Sequence, residues 1–202
     1  MDEEQQDAAV RRIYDGMART YDASFSQSGQ GDRLRSWVQE QLRMRFRPGD
    51  RVLDIGCGTG TDAIFLAKHG VRLTSLDISP RMIETAGAKI RAAGVEDRVQ
   101  VSVLDFRNLP PAPDRLFDGA FSNFDTLNYA DDLSGFADRI GAQLRPGAPL
   151  LCLLLNPLCL WEVVYFLVSL QPARAFRRLT QRGRDLMVGQ EPLALTLYFP
   201  RA

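Results

Sequence analysis

Apolar positions along the chain recur first at helical spacing and then in short runs. Val10, Ile13, Tyr14 and Met17 fall three and four apart, as do Leu34, Trp37, Val38, Gln41 and Leu42, which predicts two helices within residues 5–46. Residues 24–31, polar with glycine, read as the loop between them, and Pro48-Gly49-Asp50 as a turn. From residue 51 the period changes. Apolar runs at 52–55, 72–76, 99–104, 117–122 and 150–155 predict strands, and 61–69, 80–93 and 133–144 predict helices between them. Gly70 and Gly94 mark helix ends, Pro80 opens a helix behind Ser79, and Pro146-Gly147 closes the last of the three. Strands alternating with helices give an α/β fold: a Rossmann-like, doubly wound, mostly parallel sheet covered on both faces. Ligands on such sheets bind beyond the carboxyl ends of the strands, where the strand order reverses.

One further apolar stretch, residues 150–170, approaches the length of a membrane span. Asn156 and Pro157 cut it in two and Glu162 sits in its second half, so it reads as a buried strand followed by a core helix. No basic, apolar leader opens the chain, which begins with acidic and polar residues. Three cysteines, Cys57, Cys152 and Cys159, form no regular framework, and together these features point to a reducing, cytoplasmic setting. Of 202 residues 45% are hydrophobic and 25% charged, enough for one continuous core. Lys+Arg and Asp+Glu are equal at 25 each, so the basic excess of a nucleic-acid binder is missing. His69 is the sole histidine, which leaves no basis for a zinc site or a Ser-His-Asp triad.

The candidate chemistry begins after the first strand, at Asp54-Ile55-Gly56-Cys57-Gly58-Thr59-Gly60. Gly56, Gly58 and Gly60 make a tight turn into a helix and let a ligand approach the backbone. A dinucleotide fingerprint has its third glycine one place later than Gly60. Asp54 at the mouth of the turn would repel a pyrophosphate and attract an ammonium or sulfonium, which favours a nucleoside carrying an amino acid. Asp77 ends the second strand, where an acidic side chain accepts hydrogen bonds from ribose hydroxyls; the other role for it, a helix cap, suits Ser79 better. Asp105 ends the third strand and can accept from an adenine amino group. Ile78 and Phe106 either touch the ring or fill core.

These residues, together with the Leu144-Arg145-Pro146-Gly147 turn, resemble the class I S-adenosylmethionine-dependent methyltransferases over roughly residues 10–155. Tyr14-Asp15-x-x-Ala18-x-x-Tyr21-Asp22 is similar to the entry helix of the small-molecule branch, which includes quinone-ring methylating enzymes. The resemblance implies S-adenosylmethionine as cofactor and a helical lid, with Tyr21 either reaching the methionine end or packing as an aromatic. The implied organisation is a lid over residues 1–47, a cofactor-binding core over 48–156, and a C-terminal helical segment with the last strand over 157–202. Family members usually carry seven strands, the last two forming a hairpin, whereas residues 193–199 offer one further strand before the end, so that hairpin reads as incomplete. Gly147-Ala148-Pro149 stands where the family usually has Gly-Gly.

After the fourth strand, Ser122, Asn123, Phe124, Asp125, Asn128 and Tyr129 are candidates to line an acceptor pocket. Asn123 falls beside the cofactor. Asp125 is the candidate general base, or caps the segment that follows it. No Asn/Asp-Pro-Pro-aromatic run occurs here, which disfavours nucleic-acid bases and protein glutamine as acceptors. Asp125 with Asn156 is too thin a set for a metal. Residues 158–170 and the arginines behind them either cover a hydrophobic acceptor, contact another chain or a membrane surface peripherally, or are core and solvated face. The expected activity is methyl transfer to a small, hydrophobic acceptor by in-line displacement. The alternatives are a catalytically silent cofactor-binding scaffold and an NAD(P)-dependent oxidoreductase.

Overall fold

The computed structural model describes residues 3–26, 29–112, 115–130, 133–155, 160–175, 186–188 and 191–193. Its centre is β1 (Arg51–Ile55), a strand whose last four residues are all buried. β1 pairs in parallel with β2 (Arg72–Asp77) on one side and with β4 (Gly119–Ser122) on the other. β3 (Val99–Val103) extends the sheet beyond β2 and β5 (Leu150–Cys152) beyond β4, giving the order β3-β2-β1-β4-β5, parallel throughout. The order reverses between β1 and β4, so the crevice at their carboxyl ends is the expected ligand position.

Alternation along the strands divides the core in two. Val52, Leu73 and Phe121 face one layer, where they meet α3 (Gln30–Arg45), α4 (Thr61–Lys68) and α5 (Pro80–Ala93) through Val38, Leu42, Leu66 and Ile90. Leu53, Ile55, Leu76 and Ala120 face the other, against α6 (Leu133–Gln143) and the turns that follow β3 and β4. Apolar residues at both odd and even strand positions are what a sheet covered on two sides requires. Ser79 caps α5 by accepting from the Met82 amide at 3.1 Å.

Ahead of the sheet lie three helices rather than two: α1 (Glu3–Met17), α2 (Tyr21–Ser26) and α3. α2 takes up part of the stretch read as loop. Its Asp22 pairs with Lys89 of α5 at 2.6 Å and accepts from Thr59 at 2.7 Å, tertiary contacts that a six-residue polar segment does not advertise. The apolar stripe of α1 packs Ala9, Val10, Ile13 and Tyr14 against Ile78 and Tyr129, on the loops beyond β2 and β4. β4 and β5 are each shorter than their apolar runs by two or more residues. Phe117 joins the sheet only through an isolated bridge to Leu144, and Leu155 leaves it because its amide donates to Asn128 Oδ1 at 2.9 Å.

Beyond β5, α7 (Leu160–Val168) and α8 (Pro172–Ala175) follow, then β6 (Leu186–Val188) and β7 (Glu191–Leu193). Among the described residues these two short strands pair with each other in an antiparallel hairpin separate from the five-stranded sheet. The strand expected at 193–199 lies, except for Leu193, outside the described residues. The reading of α7 as a core helix is also corrected: Leu160, Val164, Tyr165, Leu167 and Val168 are exposed. No helix among the described residues is long and apolar enough to cross a membrane.

Candidate active site

The turn after β1 is built on glycine in the left-handed region: φ is +74° at Gly56, +53° at Gly58 and +74° at Gly60. At Gly56 space adds to the backbone demand, because a Cβ would lie 2.2 Å from Thr126 Oγ1. The Gly56 and Cys57 amides donate to the Leu76 carbonyl at 2.8 and 2.9 Å, folding the turn over the end of β2. Asp77 completes the fastening: Oδ2 accepts from the Gly58 amide at 2.8 Å and Oδ1 from the Ser79 amide at 2.9 Å. Burial raises the Asp77 pKa, against the pull of those two amides.

The turn opens on a cavity of about 920 Å³, part of it open to solvent. Tyr21, Asp54, Gly56, Gly58 and Asp77 line it, and so do Ile78, Asp105, Phe106 and Asn123. Gly60 does not; its φ starts α4, and a Cβ there would press on Ala86 of α5 at 3.1 Å, so its task is to let the two helices approach. Ile78 is shared between the cavity and α1, and Phe106 stands edge-on to Phe136, mostly in core. Asp105 lines the cavity, yet its carboxylate also caps the turn Phe106–Asn108 and meets the Arg107 guanidinium, which in turn reaches Asp7 on α1.

Asp54 is only 3% exposed and receives the Ser75 hydroxyl at 3.1 Å. Burial drives its pKa well above the ordinary carboxylate range, and the nearby Asp62 charge adds to the shift. Asp62, on the first turn of α4, was not foreseen from the sequence. It accepts from Gln39 at 2.9 Å and from Asn123 at 3.0 Å, with Arg35 at 3.5 Å. An acidic residue at a helix start has an ordinary local explanation in the helix dipole, so only its place two residues after Gly60 hinted at more. Because Asp54 holds its proton more tightly when folded, the native chain loses stability as pH rises above the unfolded carboxylate pKa, until the folded pKa is passed. Asp54→Asn should remove that loss. Melting curves should place the variant above wild type at pH 8, with the difference closing only as pH falls toward about 4, the unfolded carboxylate pKa.

Tyr14 and Tyr21 separate this cavity from a second one of about 800 Å³, also partly open to solvent. Leu34, Leu153, Leu154 and Leu155 give it an apolar wall, Phe124 borders both spaces, and among the described residues Asp125 is its only charged lining residue. Phe124 and Asp125 are left-handed, with φ of 53° and 70°, which costs non-glycine residues energy and re-aims both side chains at the rim. The Arg35 guanidinium lies 4.8 Å from the centre of the Phe124 ring. The Tyr14 and Tyr129 hydroxyls are 3.0 Å apart. Burial raises the pKa of all three tyrosines, that of Tyr21 to about 12, so the phenols stay protonated near neutrality. Burial also raises Cys57 well above an ordinary thiol, in keeping with a turn residue and not a nucleophile. Ser122 donates to the Ile55 carbonyl and Asn128 is tied to Leu155, so these two acceptor-pocket candidates hold the scaffold. Asn156 lies outside the described residues.

A doubly wound α/β domain with an acidic, glycine-floored cavity at its switch point is the class that fold and site define. Residues 52–147 match the methyltransferase domain family. A demethylmenaquinone methyltransferase of Symbiobacterium thermophilum is 31% identical over 155 residues, 74% of this chain and 60% of that protein. An S-adenosyl-L-methionine-dependent Diels-Alderase of Talaromyces variabilis is 39% identical over 100 residues, 49% of this chain and 34% of that one. Among solved structures, a SAM-dependent methyltransferase from Thiobacillus denitrificans in complex with S-adenosyl-L-homocysteine aligns with a TM-score of 0.50 and 26% identity, covering 58% of this chain and 46% of that one. Over its sheet and glycine turn the chain is similar to the class I S-adenosylmethionine-dependent methyltransferases. It spans less than two thirds of the length of these relatives.

Proposed function

We propose that the chain transfers the methyl group of S-adenosylmethionine to a small hydrophobic acceptor held in the second cavity. The observation that carries this reading is the pair of adjoining spaces: one polar and acidic over the glycine turn, one apolar beyond Tyr14 and Tyr21. When bound, the cofactor supplies an electrophilic methyl on a sulfonium. The residues present fit it. Gly56 lines the cavity with bare backbone, where a side chain would strike Thr126, and Asp77 stands at the strand end to accept from ribose hydroxyls while it fastens the turn. Asp54, costly to ionise while buried, gains from a cationic amino group, and Arg35 offers a carboxylate its counter-charge. Asp105 with Ile78 and Phe106 receives the base, and Asn123 and Tyr21 close the amino-acid end.

In this reading residues 1–47 form the lid, 48–156 hold the cofactor, and 157–202 adjoin the acceptor side. Positioning would supply much of the acceleration, with the walls of the second cavity holding the acceptor against the methyl that the cofactor would supply. The apolar wall excludes water from the displacement. Protonated tyrosines orient an acceptor oxygen as donors, and Asp125 takes the proton from an acceptor that enters un-ionised.

Methyl transfer is tested with labelled S-adenosylmethionine and a panel of lipophilic phenols and quinols, counting label that extracts into organic solvent. Asp125→Asn should lower turnover on a neutral phenol by about 100-fold, the usual weight of a general base, and leave S-adenosylhomocysteine affinity unchanged. Cofactor binding with no labelled product on any acceptor would refute the transfer reading and favour the silent scaffold. Stabilisation by NADP⁺ and not by S-adenosylhomocysteine in a thermal shift would refute the cofactor.

A further inference from the structure

The most conspicuous feature outside the site is α7. Leu160, Val164, Tyr165, Leu167 and Val168 are 70%, 51%, 58%, 43% and 78% exposed, and Leu170 beyond them is 88% exposed. At about 100° per residue, the five helical positions fall within an arc of roughly 160°, one continuous apolar face of the helix. Val163 and Phe166, half-buried, lie on the opposite side. A contiguous apolar strip of this kind calls for something to cover it.

The sequence next to it says what. Residues 171–184 contain five arginines, Arg174, Arg177, Arg178, Arg182 and Arg184, and no acidic residue, in a chain whose total charge is zero. Arg174 packs on Phe166 at 6.0 Å and so joins the basic run to the apolar helix. An exposed apolar face followed at once by concentrated positive charge suits a surface that is apolar within and anionic at its boundary. With nine residues, α7 is about 14 Å long, far too short to span a bilayer and long enough to lie in its interface. Leu155, on the wall of the second cavity, precedes Leu160 by only five residues, so the same surface would lie one short connection from that cavity.

We infer that α7 and the arginine run behind it dock the chain on an anionic lipid surface, with the apolar face of α7 in the headgroup–acyl boundary. The inference does not depend on which molecule the protein methylates.

Co-sedimentation of the whole chain with sonicated vesicles tests it. Vesicles with about a third phosphatidylglycerol should bind at least tenfold more protein than pure phosphatidylcholine, with binding falling steeply between 50 and 300 mM salt, both on the order expected for several basic side chains at the surface. Val164→Asp with Val168→Asp should lose binding by tenfold or more. Arg177→Gln with Arg178→Gln and Arg182→Gln should lose the preference for anionic vesicles. Neither Val164 nor Val168 lines either cavity, and the three arginines follow α7 in sequence, so an S-adenosylhomocysteine thermal shift equal to wild type shows that each variant is folded. Equal binding to both vesicle types, or wild-type binding by the aspartate variant, would overturn the proposal. So would a dimer in sedimentation velocity that the aspartate variant converts to monomer without any vesicle binding, since the face would then belong to a second copy.

Discussion

Gly56→Ala should destabilise the fold by about 2–5 kcal/mol and abolish binding of S-adenosylhomocysteine. Two effects combine. A left-handed φ costs an L-residue about 1–2 kcal/mol, and the new methyl would lie 2.2 Å from Thr126 Oγ1, 2.3 Å from Cγ2 and 2.7 Å from Cβ. Thr126 cannot retreat easily, because its hydroxyl is held on the Asn123 carbonyl at 3.3 Å and its turn packs Leu127 into the core. The cost appears in urea melts as a lower midpoint with an unchanged slope. Thr126→Ala in the same chain removes two of the three close atoms and leaves the Cβ contact, so rescue should be partial. Equal stability of Gly56→Ala and wild type would mean that the turn does not adopt the geometry described.

The second large effect is expected at Asp77. Asp77→Ala should weaken S-adenosylhomocysteine binding by about 100-fold or more, since a carboxylate hydrogen bond is worth about 1.5–3 kcal/mol and ribose offers two hydroxyls. The side chain also holds the Gly58 and Ser79 amides, so its removal loosens the turn as well as the contact. Asp77→Asn separates the two contributions. It keeps one oxygen acceptor, so it should retain part of the affinity by titration calorimetry while remaining closer to wild type in thermal stability than Asp77→Ala. Wild-type affinity in Asp77→Ala, and likewise in Asp54→Ala, would refute the assigned site.

Much of this was legible in sequence because local and global demands coincide there. The spacing of Gly56, Gly58 and Gly60 and the Ser79-Pro80 helix start encode backbone geometry directly, and the apolar runs around Val52, Leu73 and Ala120 encode a sheet buried on both faces. Residues whose partners are distant in the chain were harder to read. Gln39 and Arg35 look like the solvated side of an amphipathic helix, but they converge on Asp62 across more than twenty residues. Asp15 reads as an ordinary polar position, although it accepts from the Ser79 hydroxyl at 2.6 Å and the Arg81 amide at 3.1 Å. Gly60 shows the opposite difficulty: its motif position suggested ligand contact, whereas its neighbour is Ala86. In α7 composition misled outright, since the same apolar richness describes a core helix and an uncovered one.

The fastenings of the first helix include Asp7 to Arg107, Asp15 to the start of α5, and Tyr14 to Tyr129. Swinging it aside therefore means releasing an ion pair, a helix cap and an aromatic hydroxyl pair in one cooperative event. Should release of S-adenosylhomocysteine require that event, its residence time would shorten in concentrated salt, which screens the ion pair and leaves the other two hasps in place.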